Sequence, residues 1–168
     1  MPKIIENLQE KLVAEAQRQV RDCGYAALTI RSVAAACGVG VGTVYNYFAS
    51  KDALVASFML KDWQKCIAAI EETSADADRA SPVIRCIYEQ LQGFIAQHQA
   101  IFADEAAVAS FSGSPSPYHS RLRNQLAKPL HKFCRDDFTP EFIAEALLTW
   151  TVAGKGYEDI ANLIEKLL

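Results

Sequence analysis

The chain has 168 residues and a mass of 18.5 kDa, enough to bury a core as one domain or two small ones. With 51% hydrophobic and 22% charged residues it is excluded from the disordered class, and a formal net charge of −3 excludes blanket attraction to nucleic acid while allowing a local patch. No apolar run reaches the roughly eighteen residues that span a bilayer, and Glu6 and Glu10 interrupt the start where a signal peptide would be apolar. The expectation is a soluble, cytoplasmic protein with no membrane partner.

Apolar residues recur at helical spacing almost throughout and no stretch alternates with period two, so the sequence predicts an all-α fold of about nine helices. The first helix carries Ile5, Leu8, Leu12, Ala16 and Val20 on one stripe and stops at Cys23-Gly24. A second, short helix starts at Thr29 as N-cap, places Ile30, Val33, Ala34 and Cys37 inward, and ends at Gly38. After Gly38-Val39-Gly40 about eight residues, Val41 to Phe48, form a third short helix with Val44 and Phe48 on its inner face. Ser50 caps a long fourth helix with Val55, Met59, Trp63, Cys66 and Ile70 on its stripe, fading in Ser74-Ala75-Asp76-Ala77-Asp78. A domain boundary is expected near residue 50, dividing the chain into 1–50 and 51–168 with the fourth helix bridging the parts.

Downstream, Ser81-Pro82 opens a helix with Ile84, Ile87, Tyr88, Leu91 and Ile95 inward, followed by an apolar piece around Ile101, Phe102, Val108 and Phe111. The run from Ser112 to Pro117 reads as a loop. Leu122, Leu126, Leu130 and Phe133 mark another helix, which Pro129 must kink or split because it removes a backbone donor. Thr139-Pro140 reads as the start of a helix carrying Phe142, Ile143, Leu147 and Trp150; after Gly154-Lys155-Gly156 a last helix bears Ile160, Leu163, Ile164 and Leu167. There is no internal repeat.

The chemistry is concentrated between Thr29 and Lys51. Two short helices joined by a glycine turn form a helix-turn-helix, whose second helix fits the major groove of DNA. Val41, Gly42, Thr43, Tyr45, Asn46 and Tyr47 face outward. Thr43 suits a phosphate, a base edge or a thymine methyl, Asn46 suits adenine, and the tyrosines offer hydroxyls to phosphates. Lys51 and Thr29 stand where the same backbone would pass. The plainer alternative leaves Tyr45 and Tyr47 as packing residues and Thr29 as a cap. Residues 1 to 52 hold six basic groups (Lys3, Lys11, Arg18, Arg21, Arg31, Lys51) against five acidic ones, so one head alone gathers few phosphate contacts.

The runs Leu28-Thr29-Ile30-Arg31-Ser32-Val33-Ala34, Cys37-Gly38-Val39-Gly40-Val41-Gly42-Thr43-Val44-Tyr45-Asn46-Tyr47-Phe48 and Ser50-Lys51-Asp52-Ala53-Leu54 resemble the N-terminal domain of TetR/AcrR-type regulators. The resemblance covers about the first third of the chain. It implies a homodimeric, usually repressing transcription factor whose C-terminal helices bind a small molecule, move the fourth helix and respace two heads on a pseudo-palindromic operator. It also implies Thr29, Arg31, Thr43, Tyr45, Tyr47 and Lys51 as DNA contacts, with Val44 and Phe48 as core. Two positions depart from the family: Gly40 replaces a common capping serine, at a cost of up to about 1 kcal/mol, and Val41 replaces a polar or basic residue.

In the second part Ile143, Leu147, Trp150, Ile160, Leu163, Ile164 and Leu167 supply more apolar surface than so short an end needs and are the candidate dimer interface. The alternative is that these stripes cover the chain's own core. Tyr88, Phe94, Phe102, Phe111, Tyr118, Phe133 and Trp150 are the candidate lining of an effector pocket, favouring an apolar or amphipathic small molecule. His98, His119 and His131 are far apart in sequence, so no metal and no cofactor are assigned. There is no nucleotide loop, GxSxG elbow or HExxH pair, and Glu71-Glu72, Asp104-Glu105 and Asp136-Asp137 point apart on helices, which speaks against an enzyme. Cys23, Cys37, Cys66, Cys86 and Cys134 suit buried reduced thiols rather than disulfides. The competing readings are a helical dimeric small-molecule binder and a thiol redox sensor, each without strong DNA binding.

Overall fold

The computed structural model describes residues 7–111, 117–164, 166 and 168. Ile5 of the first stripe, the loop residues 112–116 and Leu167 of the candidate interface lie outside the described residues. Among the described residues all regular structure is helical: α1 (Leu8–Cys23), α2 (Ile30–Ala36), α3 (Val41–Tyr45), α4 (Lys51–Asp76), α5 (Ala80–Gln97), α6 (Gln99–Phe102), α7 (Glu105–Phe111), α8 (Pro117–Ala127), a 3₁₀ turn (Lys128–Phe133), α9 (Phe138–Val152) and α10 (Tyr157–Ile164). None is long and apolar enough to cross a membrane.

Four-residue spacing puts Leu8, Leu12, Ala16 and Val20 on the buried face of α1, and Gly24, in a left-handed conformation (φ 82°), ends it by donating to the Val20 carbonyl at 2.9 Å. On the outer face Arg18 bonds Glu15 through two nitrogens (2.7 and 2.9 Å) and reaches Asp22 at 3.0 Å. The Ser50 hydroxyl accepts from the Ala53 amide at 3.0 Å and starts α4, whose 26 residues run about 39 Å at 1.5 Å per residue. Leu54, Val55, Phe58, Met59, Trp63, Cys66 and Ile70 are buried along it, and α1 and α5 pack against it.

Pro129 splits the predicted helix: α8 stops at Ala127 and the chain continues as the 3₁₀ turn. That turn is pinned to the end of α4. Ser74 donates its hydroxyl to the Pro129 carbonyl at 3.0 Å, and the Lys132 ammonium donates to the carbonyls of Ser74 and Ala77, satisfying groups that a helix end leaves open. The start of α9 corrects the sequence reading. Thr139 does not cap it; the Asp136 carboxylate accepts from the Thr139 amide (2.7 Å) and hydroxyl (2.9 Å), which also holds the Asp136 carboxyl below its ordinary range. The helix therefore begins at Phe138, before the Thr139-Pro140 pair. The apolar piece expected around residues 101–111 is likewise two helices, α6 and α7, separated at Ala103-Asp104. Buried apolar residues form one continuous cluster from Leu8 to Ile164.

Two outcomes follow. Ser50→Ala should lower stability by about 1 kcal/mol in a denaturant titration, with Ser50→Asp retaining it, since both oxygens cap. Glu15, held at about 2 by Arg18 and Gln19, contributes stability that is complete above the ordinary carboxylate value of roughly 4.3 and is lost as pH falls towards 2. Glu15→Gln should remove that part of the acid dependence of thermal melting.

Candidate nucleic-acid interface

α2 is closed at both ends by local bonds. Thr29 accepts from the Ser32 amide (3.0 Å) while the Ser32 hydroxyl accepts from the Thr29 amide (3.2 Å), a reciprocal box at the N-terminus. At the other end Gly38 takes a left-handed conformation (φ 67°), and the Val39 and Gly38 amides donate to the carbonyls of Ala34 (3.0 Å) and Ala35 (3.2 Å). The left-handed residue turns the chain away from the α2 axis, and α3 starts three residues later. Gly40 is an extended N-cap without a side-chain bond, as its replacement of serine implies.

Val44, fully buried, anchors α3 against α2, and Phe48 is 5% exposed. The regular helix is shorter than the sequence suggests, ending at Tyr45. Asn46, Tyr47 and Phe48 still wind on, because the Tyr47 and Phe48 amides both donate to the Val44 carbonyl at 3.0 Å. Val44 and Phe48 therefore share the inner side as expected. On the outer side stand Gly42, Asn46, Tyr45 (53% exposed) and Tyr47 (46% exposed), with Thr43 and Val41 half-buried at its margins. The packing alternative for the two tyrosines does not describe these rings. Thr29 and Arg31 are exposed on α2, and Thr29 also serves as the cap that the plainer reading assigned to it.

Lys51 is less free than the sequence suggests. Its ammonium lies 3.8 Å from the centre of the Tyr25 ring, and burial pushes its pKa down against the pull of Asp104 and Asp52. The Tyr25 hydroxyl donates to Asp52, and its ring meets Phe111 edge-on with centres 6.4 Å apart. The link between α1 and α2, the start of α4 and the end of α7 thus meet at one point. Nothing in the local sequence pattern marks Tyr25 or Asp104 as members of this junction.

The aromatic residues expected to line one pocket fall into separate groups. Phe94 packs with Trp63, Phe102 and His98 in the interior; Phe111 contacts Tyr25 and Tyr118; Tyr88 contacts Tyr157 and donates to the Lys155 carbonyl at 3.0 Å. Phe133 is half-buried beside Lys132, and Trp150 is 49% exposed. None of the seven lines the two surface clefts beside the start of α5, of about 380 and 510 Å³, which Arg79 and Pro82 share. Of the candidate interface residues, Ile143, Leu147, Ile160 and Ile164 are buried inside the chain, as the own-core alternative has it, whereas Trp150 and Leu163 (66%) are exposed. Phe138 and Phe142 are also exposed on α9 and are not among the candidate interface residues.

Folding also joins groups that sequence spacing kept apart. His119 Nε2 lies 2.8 and 2.9 Å from the two Glu145 oxygens, and His98 Nε2 lies 3.4 Å from Asp62 with its pKa lowered by burial. All five cysteines are free, but only Cys66 is buried; Cys23 is exposed and the others are half-buried, which corrects the expectation of buried thiols. Burial raises the thiol pKa of Cys37, Cys66 and Cys134, the opposite of activation.

Residues 12–58, which contain this whole helix-turn-helix, match the family described as bacterial regulatory proteins, tetR family. That segment is similar to the N-terminal domain of this family. The chain's overall architecture is TetR-like as well. The multidrug binding protein EbrR, complexed with imidazole, superposes with a TM-score of 0.65 at 19% identity over 95% of this chain and 94% of EbrR. Thermus thermophilus FadR, a TetR-family repressor in complex with lauroyl-CoA, gives 0.64 at 20% identity over 94% and 90%. The fatty acid degradation regulator FadR from Bacillus halodurans gives 0.53 at 17% identity over 95% and 91%. No curated protein matches the sequence.

Tyr25→Phe keeps the ring but removes the hydroxyl bond to Asp52. It should cost about 1.5–3 kcal/mol in denaturant unfolding, the range for bonds to charged groups, with helical circular dichroism unchanged.

Proposed function

We propose that this protein is a ligand-responsive transcriptional regulator, a repressor, that binds a pseudo-palindromic operator as a homodimer and is released by a small apolar or amphipathic effector. In this reading residues 1–50 are the DNA-binding head and 51–168 the effector and dimerisation part. The observation that carries it is the side of α3 opposite Val44, where Gly42, Tyr45, Asn46 and Tyr47 are exposed within the TetR-type domain. Thr29, Arg31, Thr43, Tyr45, Asn46, Tyr47 and Lys51 are the DNA contacts, Asn46 at a base edge and the hydroxyls and cations at phosphates.

One head is too weakly basic to hold DNA well. Arg18 is already committed to Glu15 and Asp22, and Lys51 reaches a phosphate only from its place over the Tyr25 ring. Two heads on one duplex gather enough phosphate contacts. The exposed apolar side chains Phe138, Phe142, Trp150 and Leu163 on α9 and α10 support a pairing surface there, with Ile143, Leu147, Ile160 and Ile164 packed beneath as its rigid backing. The effector acts in the aromatic interior of the second part and reaches the heads through α4. The lauroyl-CoA named for Thermus thermophilus FadR supports an apolar or amphipathic class.

The test is selection of bound fragments from random duplex DNA, followed by titrations over a range of salt. Binding should fall steeply as salt rises, and Tyr45→Ala or Asn46→Ala should weaken it by about 1–3 kcal/mol; enrichment of no duplex would overturn the reading. Leu163→Arg and Phe142→Arg should give monomers by sedimentation and lose most DNA affinity. Persisting dimers would displace the interface from these helices.

A further inference from the structure

The smaller of the two clefts beside the start of α5, of about 380 Å³, plays no part in the DNA-binding reading. It runs between that start, with Arg79 and Arg85, and α10, with Tyr157, Glu158 and Asn162. Two guanidinium groups therefore open onto one concavity. Arg79 is exposed and forms no ion pair with any described residue, although Asp76 and Asp78 stand close to it in the chain.

Arg85 is held from behind. Its guanidinium carbon lies 4.1 Å from the centre of the Tyr157 ring, which packs on the buried Tyr88 ring with centres 5.4 Å apart. Tyr88 is itself fixed, donating to the Lys155 carbonyl at 3.0 Å and accepting from the Gln92 amide at 2.6 Å. A guanidinium seated over a ring is oriented without using its hydrogen-bond donors, so those of Arg85 are left for another partner. Of the residues lining the cleft only Glu158 is acidic. It lies 3.7 Å from Arg85, beyond hydrogen-bond reach, on a side chain 78% exposed, where water screens the pair. Arg18 shows the contrast, closed by three short bonds to Glu15 and Asp22.

An anion with several acceptor oxygens and close to two charges completes such an arrangement. A phosphate monoester carries about −1.5 to −2 charge at pH 7 and offers three acceptor oxygens, enough for two guanidinium forks, whereas one fork satisfies a carboxylate. Pro82 and Ala161 add apolar wall beside the Asn162 amide, which suits the carbon part of a small ester better than a bare ion. We propose that the cleft between α5 and α10 binds a small organic phosphate, with Arg79 and Arg85 on its phosphoryl oxygens and Pro82 and Ala161 against its carbon part. The site is separate from the aromatic interior assigned to the effector, and it stands or falls independently of DNA binding. A ligand there ties the α4–α5 turn to α10 and adds to stability, since it binds the folded chain alone.

The experiment titrates the full chain with phenyl phosphate, inorganic phosphate and benzoate by calorimetry at fixed ionic strength, with thermal melting in parallel. Phenyl phosphate should bind saturably and raise the melting temperature, inorganic phosphate should bind more weakly, and benzoate least. Arg79→Gln and Arg85→Gln should each weaken phenyl phosphate by about tenfold or more, the effect of losing a charged hydrogen-bond partner, and Glu158→Gln should tighten it. Because Arg79 is exposed and unpaired, its variant decides the matter if Arg85→Gln disturbs the Tyr157 ring. Absence of saturable binding, or undiminished binding by Arg79→Gln, would overturn the proposal. Benzoate binding as well as phenyl phosphate would overturn the assignment to phosphate, and inorganic phosphate binding as well would reduce the cleft to an adventitious ion only.

Discussion

The seat of Val44 against α2 is the contact on which the site depends. A five-residue helix cannot hold itself, because nucleation fixes several residues for little hydrogen-bond return. What holds α3 is a fully buried side chain on one side, the left-handed Gly38 that aims the chain, and the double use of the Val44 carbonyl by Tyr47 and Phe48. Once Val44 and Phe48 point inward, helical geometry leaves Gly42, Tyr45 and Asn46 no direction but outward. The recognition surface follows from where one valine is buried.

The second organising contact is the junction at Tyr25. A head attached only by the chain at Ser50 would be free to swing; instead Tyr25 bonds Asp52, carries the Lys51 ammonium on its ring and meets Phe111 from α7. Asp104, next to the start of α7, pulls on the same lysine. Helices far from the helix-turn-helix in sequence therefore bear directly on the first turn of α4. In the proposed regulator this junction is where a change in α6 and α7 would reach the environment of Lys51 at the start of α4.

The helices with local punctuation were readable in advance. Thr29, Gly38, Ser50 and Pro129 act through bonds to residues one to five places away, so their consequences do not wait on the rest of the fold. The Asp136 carboxylate that starts α9 was also within reach, three residues from Thr139, but the hydroxyl and proline there were the more conspicuous signal. What periodicity could not resolve was which apolar stripes meet each other and which meet solvent. Ile143 and Leu147 share α9 with Phe142 and Trp150, yet the first pair is buried and the second exposed, because burial depends on the placement of α5, α8 and α10 around that helix. The aromatics of the second part were indistinguishable by type and fell into separate groups for the same reason.

The amino-acid order alone settled the all-helical class, the helix-turn-helix and the outward placing of Gly42, Tyr45, Asn46 and Tyr47, since these rest on interactions within a turn or two of each residue. Packing at long range settled the rest: the capture of Lys51 by Tyr25, the pairing of His119 with Glu145 across 26 residues, and the exposure of Phe138 and Leu163. Such contacts join segments whose separation along the chain carries no record of their distance in space. Only the folded arrangement of α4 through α10 brings them together.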